Sequence, residues 1–120
     1  MILRVKQFEK KDFSIRDIIF VPYRDFYLVV NTNEIIYIKA EKSYCRIILK
    51  CGKEYLLISS LGILLNKLPD YFIRIHRSYV LNLCHAHSIH NGKIVRLKND
   101  DEIPISRRKK KCFFELVAVC

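Results

Sequence analysis

The amino-acid sequence predicts a mainly β domain, an antiparallel meander that carries two short α-helices. Three observations lead there. Runs of β-branched and aromatic residues recur at strand length from Ile18 onward. Turn-forming residues separate them. At two places the apolar period switches to the i, i+3, i+4, i+7 spacing of a helix.

The first strand-length runs cover residues 18–21, 26–30, 34–39, 44–50 and 54–58. Pro22, Asn31 to Asn33, and Cys51-Gly52-Lys53 break the chain between them, the last being short enough to close a hairpin. Ser59-Ser60 then offers an N-cap to a helix with Leu61, Leu64, Leu65 and Leu68 on one face, and Pro69 stops it. Strands resume over 72–75, 78–83 and 87–90. Asn91-Gly92 is the strongest short hairpin signal in the chain and leads into 93–98. Asn99-Asp100-Asp101 turns into 102–105. Ser106 is a second N-cap, for a final helix whose Phe113, Leu116, Val117 and Cys120 form a stripe that should pack on the sheet. Residues 1–17 show no clear period and read as an N-terminal extension or interdomain linker with one strand near Ile2 to Phe8; residues 18–120 are the domain.

Composition bounds the function. A chain of 120 residues, 51% hydrophobic, buries a real core without metal or disulfide staples. Five cysteines, odd in number and without CxxC spacing, read as reduced. Neither a membrane-length apolar run nor a signal peptide is present, so a cytoplasmic protein is expected, with no membrane partner and no cofactor. The 22 Lys and Arg against 12 Asp and Glu give a formal charge of +10, which calls for a polyanionic partner or an anionic surface. That excess is local: residues 103–112 hold Arg107, Arg108, Lys109, Lys110 and Lys111 and no acid.

Three segments carry the candidate chemistry. Cations at the start of a helix oppose its macrodipole, so the run from Ser106 through Arg107, Arg108 and Lys109 needs a compensating anion. A phosphate fits, held by first-turn amides, the Ser106 hydroxyl and the Arg forks. Strand alternation over Arg74 to Tyr79 puts Arg74, His76 and Ser78 on one face and Arg77 and Tyr79 on the other, and a bend at His76 would splay the two arginines into a loop tip. Arg77 has the fork for a guanine edge, while His76 and Ser78 suit phosphates. Lys42, Ser43 and Tyr44 link two strands, with Arg46 on the second.

In this order the segments resemble the LytTR family of bacterial DNA-binding domains, over roughly residues 18–118. The matching stretches are EIIYIKAEKSY at 34–44, Ser60-Leu61, FIRIHRSYVLNL at 72–83 and EIPISRR at 102–108. The resemblance implies elongated, stacked antiparallel β-sheets with two short α-helices that grip double-stranded promoter DNA through loops and a helix start. It implies tandem repeats in that DNA, a homodimer on it, and a partner receiver domain of a two-component response regulator, which would lie outside this chain. Carried over residue by residue, DNA contacts fall at Lys42 to Arg46, at His76 and Arg77, and at Ser106 to Lys109, with Arg77 and Arg108 as base readers; Asn82 supports its strand and neighbouring loops. Lys39 and Cys45 depart from the family's usual residues.

Rival readings are weaker. Cys84, His85, His87 and His90 crowd together but match no closed zinc pattern. An enzyme using His76 as general base lacks a second acid or base and a carboxylate pair for Mg²⁺, so no catalysis is expected. Charge alone would serve non-specific binding to nucleic acid or an anionic surface. Cys45, next to the 42–46 loop, is expected to be an oxidisable thiol favoured as thiolate by Lys42 and Arg46.

Overall fold

A computed structural model describes residues 17–117; the strand expected near Ile2 to Phe8 and the stripe residue Cys120 lie outside them. Strands β1 (Ile18–Tyr23) and β2 (Phe26–Asn31) form a two-stranded ribbon. Strands β3 (Ile35–Glu41), β4 (Tyr44–Leu49) and β5 (Glu54–Ile58) follow, then helix α1 (Leu61–Leu65) and strands β6 (Phe72–His76) and β7 (Tyr79–Asn82). These five strands make one antiparallel sheet in the order β5-β4-β3-β7-β6. Strands β8 (Ala86–His90), β9 (Ile94–Leu97) and β10 (Glu102–Pro104) form a third sheet, and helix α2 (Arg107–Leu116) closes the described chain.

The reason for stacking lies in β3 and β4, which are apolar on both faces. Ile38, Ile47 and Leu49 point to one side, where the ribbon's Ile19, Val21 and Val30 and α1's Leu61 and Leu64 cover them. Ile36 and Ile48 point to the other, beneath Val95, Leu97, Ile103 and the α2 residue Phe113. A register shift between Ile35 and Tyr37 interrupts the strand's alternation, so that Ile35 and Ile38, three residues apart, share one core while Ile36 faces the other. The five-stranded sheet is therefore the middle layer of three. The outer layers make stacked antiparallel sheets with two short helices, as the sequence and its resemblance predict. The ribbon crosses the sheet: Tyr71, just before β6, donates its hydroxyl proton to Asp17 at 2.8 Å, and the Tyr23 ring meets the Tyr55 ring of β5 edge-on at 6.2 Å.

Element boundaries differ from expectation in instructive ways. Pro22 does not end β1; the turn is Arg24-Asp25. Tyr23 and Phe26 are the pair that closes this hairpin, so Pro22 falls at a position whose amide the ladder does not need. α1 ends at Leu65, four residues short of Pro69, because Pro69 has no N–H for the Leu65 carbonyl; Leu68 donates to it instead. In α2, Leu116 is 68% exposed and not on the packed stripe, while Phe114 joins Phe113 against the core. The Ser60 and Ser106 caps form as expected, accepting from the Ile63 and Lys109 amides at 3.2 and 3.1 Å. Each cap contributes about 1 kcal/mol. Asn91 and Gly92 both take positive φ, 57° and 64°, as their hairpin turn requires.

Candidate nucleic-acid interface

β-Strand register brings the candidate residues to one end of the central sheet. A two-residue turn, Lys42-Ser43, joins β3 to β4, and another, Arg77-Ser78, joins β6 to β7. Because β3 pairs with β7, these turns are neighbours: the Ala40 amide donates to the Ser78 carbonyl at 2.8 Å. The start of α2 is tied to the same place, since the Ser106 amide donates to the Ile75 carbonyl at 2.9 Å. The register shift between Arg74 and His76 marks Ile75 as the irregular residue of β6.

Each segment is locally braced. At the Arg77-Ser78 turn, His76 Nδ1 accepts from the Ser78 amide at 3.0 Å, which leaves the ring N–H on Nε2, and the ring packs edge-on to Tyr79. Arg77 is exposed. At α2, the Ser106 Oγ caps the Lys109 amide and the Lys110 amide reaches the Ser106 carbonyl. Arg107 and Arg108 have amides that precede the helical ladder, so with the Ser106 hydroxyl proton they form a donor cluster at the start of a run of five exposed cations, Arg107 to Lys111. Lys110 lies over the β8–β9 turn, its Nζ 3.2 Å from where a side chain on Gly92 would begin.

The third segment departs from expectation. Lys42, Ser43 and Tyr44 are exposed. Arg46, however, donates to Glu41 at 2.8 and 3.0 Å and to Glu54 at 2.8 Å. Those hydrogen bonds hold the Glu41 carboxyl below its usual range and raise the Arg46 guanidinium above its own. Among the described residues no acid pairs with Arg77, Arg107, Arg108 or Lys109. Cys45 is a correction: it is fully buried, donates its Sγ proton to the Ser59 carbonyl at 3.1 Å, and burial pushes its pKa up despite nearby Arg74. It is neither a thiolate nor beside the solvent. Arg74 bonds back onto the backbone of the neighbouring turn, its Nη2 donating to the Arg77 carbonyl at 2.6 Å. Asn82 is wholly buried and bridges the Ile35 carbonyl and the Cys84 amide, both at 2.9 Å, in the supporting role expected of it.

The 42–44, 76–78 and 106–109 segments thus share one end of one sheet, and the family match spans them. The LytTr DNA-binding domain family is matched over residues 25–118. The chain belongs to the LytTR family. Among solved structures it is similar to the LytTr DNA-binding domain of a candidate methyl-accepting/DNA response regulator from Bacillus cereus. The TM-score is 0.75 at 21% identity, covering 86% of this chain and 98% of that one, which shows a shared fold. LytTR domains are DNA-binding domains and not an enzyme family. Among the described residues no three His, Cys, Asp or Glu side chains converge as metal ligands. His85 meets the Asn33 carbonyl, while His87 and His90 share the Ser88 hydroxyl. No helix among the described residues is long and apolar enough to cross a membrane.

Proposed function

We propose that this LytTR chain binds double-stranded promoter DNA sequence-specifically, as the cytoplasmic output domain of a bacterial two-component response regulator. The observation that carries the reading is the pair of backbone hydrogen bonds, Ser106 to Ile75 and Ala40 to Ser78, which holds three cation-bearing segments at one end of the sheet. A helix-start anion site beside a two-residue arginine turn suits a duplex, whose phosphates flank base edges in the groove.

Within that site Arg77 and Arg108 read bases. His76, Ser78, Ser106, Arg107, Lys109, Lys42, Ser43 and Tyr44 position the backbone, and Arg46 braces the 42–43 turn through its two carboxylates. Residues 1–17 act as the linker to a receiver domain outside this chain, and residues 18–120 bind tandem repeats as a homodimer. The test is selection of duplexes from random sequence at physiological salt, followed by competition with scrambled DNA, RNA and anionic vesicles. Enrichment of one repeated motif that only its own duplex competes for is the expected result. Equal competition by all three would sink the reading.

A further inference from the structure

The Arg77-Ser78 turn lacks the backbone chemistry that normally sets a two-residue hairpin. Such turns take a left-handed residue, and the two other described hairpins of this length have one: Arg24 at φ 59° and Lys42 at φ 54°. Neither Arg77 nor Ser78 has positive φ. Side chains do the holding instead. His76 caps the turn from within through the Ser78 amide, and Arg74 reaches forward from β6 to the Arg77 carbonyl.

Arg74 is an unusual residue to find there. It is only partly exposed, its Nε is buried with no hydrogen-bond partner among the described residues, and its Nη1 lies 3.9 Å from the position a Cβ would take on Gly62 of α1. A guanidinium lodged between α1 and the turn, with one donor unused, is costly as a purely structural device. Its short bond to Arg77 is the contact that reaches the turn. Arg is suited to this because its planar fork holds direction, whereas a lysine ammonium on a flexible stem does not.

We propose that Arg74 is a positioning residue for base recognition: by clamping the Arg77 carbonyl it fixes the direction in which the Arg77 side chain leaves the turn, without itself touching DNA. The inference rests on the reading of Arg77 as a base reader. A guanidinium must lie in the plane of a base edge to bind it bidentately, so a turn free to rock loses discrimination before it loses phosphate affinity.

The experiment uses the whole 120-residue chain, a duplex selected by the wild-type protein from random sequence, and a scrambled duplex of the same composition. Arg74→Lys and Arg74→Gln are expected to lower the ratio of selected to scrambled affinity about tenfold, with scrambled affinity and salt slope unchanged. In an Arg77→Ala background Arg74→Lys should change the ratio no further, since the two act through one contact. Without DNA, exchange of the Ser78 amide should quicken about tenfold in Arg74→Lys while Val80 and Leu81 keep their rates.

An unchanged ratio in Arg74→Lys would overturn the inference, as would unchanged Ser78 exchange. Equal weakening on both duplexes with the salt slope lowered by about one makes Arg74 a phosphate contact and also overturns it. Loss of the fold in both variants would make Arg74 a core residue and overturn it as well. If the wild type itself shows no preference between the duplexes, the base-reading role of Arg77 fails first, and Ser78 exchange still decides whether Arg74 clamps the turn.

Discussion

The turns at Lys42-Ser43 and Arg77-Ser78 sit side by side at one end of one sheet, have the same length, and are built by opposite means. The first stores its shape in the backbone: Lys42 takes φ 54°, a conformation that costs a non-glycine residue roughly 1 kcal/mol. The second stores it in side chains, through His76 and Arg74. Their arginines differ in the same sense. Arg46 has three hydrogen bonds to Glu41 and Glu54, while no described acid pairs with Arg77. Local basic sequence therefore does not equal available positive charge; cross-strand neighbours decide which cations remain for a polyanion.

The largest expected effect comes from removing the free arginine. Arg77→Ala should cost about 1–3 kcal/mol of binding to a selected duplex and relax preference at its base, and Arg108→Ala should do likewise. Titration against selected and scrambled duplexes checks both; an unaltered ratio would remove either residue as a base reader.

The second prediction tries to erase the contrast. Replacing Glu41 and Glu54 together by Gln frees the Arg46 guanidinium, so binding to any duplex should tighten and the dependence of affinity on salt should steepen by about one charge. Arg46→Ala, by comparison, should leave the salt slope as it is. If Arg46→Ala lowers the slope by one, Arg46 already touches phosphate and the bracing role is wrong.

A third, smaller effect concerns backbone strain. Lys42→Asn puts a residue tolerant of left-handed geometry at φ 54°, so the protein should gain at most about 1 kcal/mol of stability and melt slightly higher, while losing about one unit of salt slope. A lower melting temperature would mean that the Lys42 side chain contributes more than its backbone costs.

The smallest effect is in pH dependence. Hydrogen bonding to Arg46 lowers the folded pKa of Glu41 below the ordinary value of 4.5, so its contribution to stability is present above that value and is lost as pH falls through the lower folded one. Glu41→Gln should therefore flatten the acid limb of a melting-temperature profile below about pH 4.5 and leave the neutral region little changed. An identical acid limb in the variant would show that the pair is not linked to folding.

Much of the fold was legible in the residues alone. The alternating runs marked nearly every strand, because each half-buried strand must present one face to a core. Ser60 and Ser106 marked the helix starts, because the first-turn amides need an acceptor. Burial of Cys45 was not legible, since it depends on α1 and the Ser59 carbonyl closing over β4. The exposed position of Leu116 was missed for a similar reason: the helical stripe allows several faces, and the sheet beneath selected Phe113 with Phe114. Arg46's acids carried a signal that could have been found. A two-residue turn at 42–43 sets Arg46 opposite Lys39 and diagonal to Glu41, but Glu54 joins them only once β5 pairs in register.

By itself, then, the sequence determined the strand pattern, the caps, the local basic excess and the family to which the chain belongs, because these follow from periodicity and short-range hydrogen bonding. Only the tertiary structure decided how the loops become one site. Pairing of β3 with β7 put the 42–43 and 77–78 turns together, and docking of Ser106 on Ile75 brought the helix start beside them. Those contacts join residues far apart in the chain, and no local rule of side-chain chemistry specifies them.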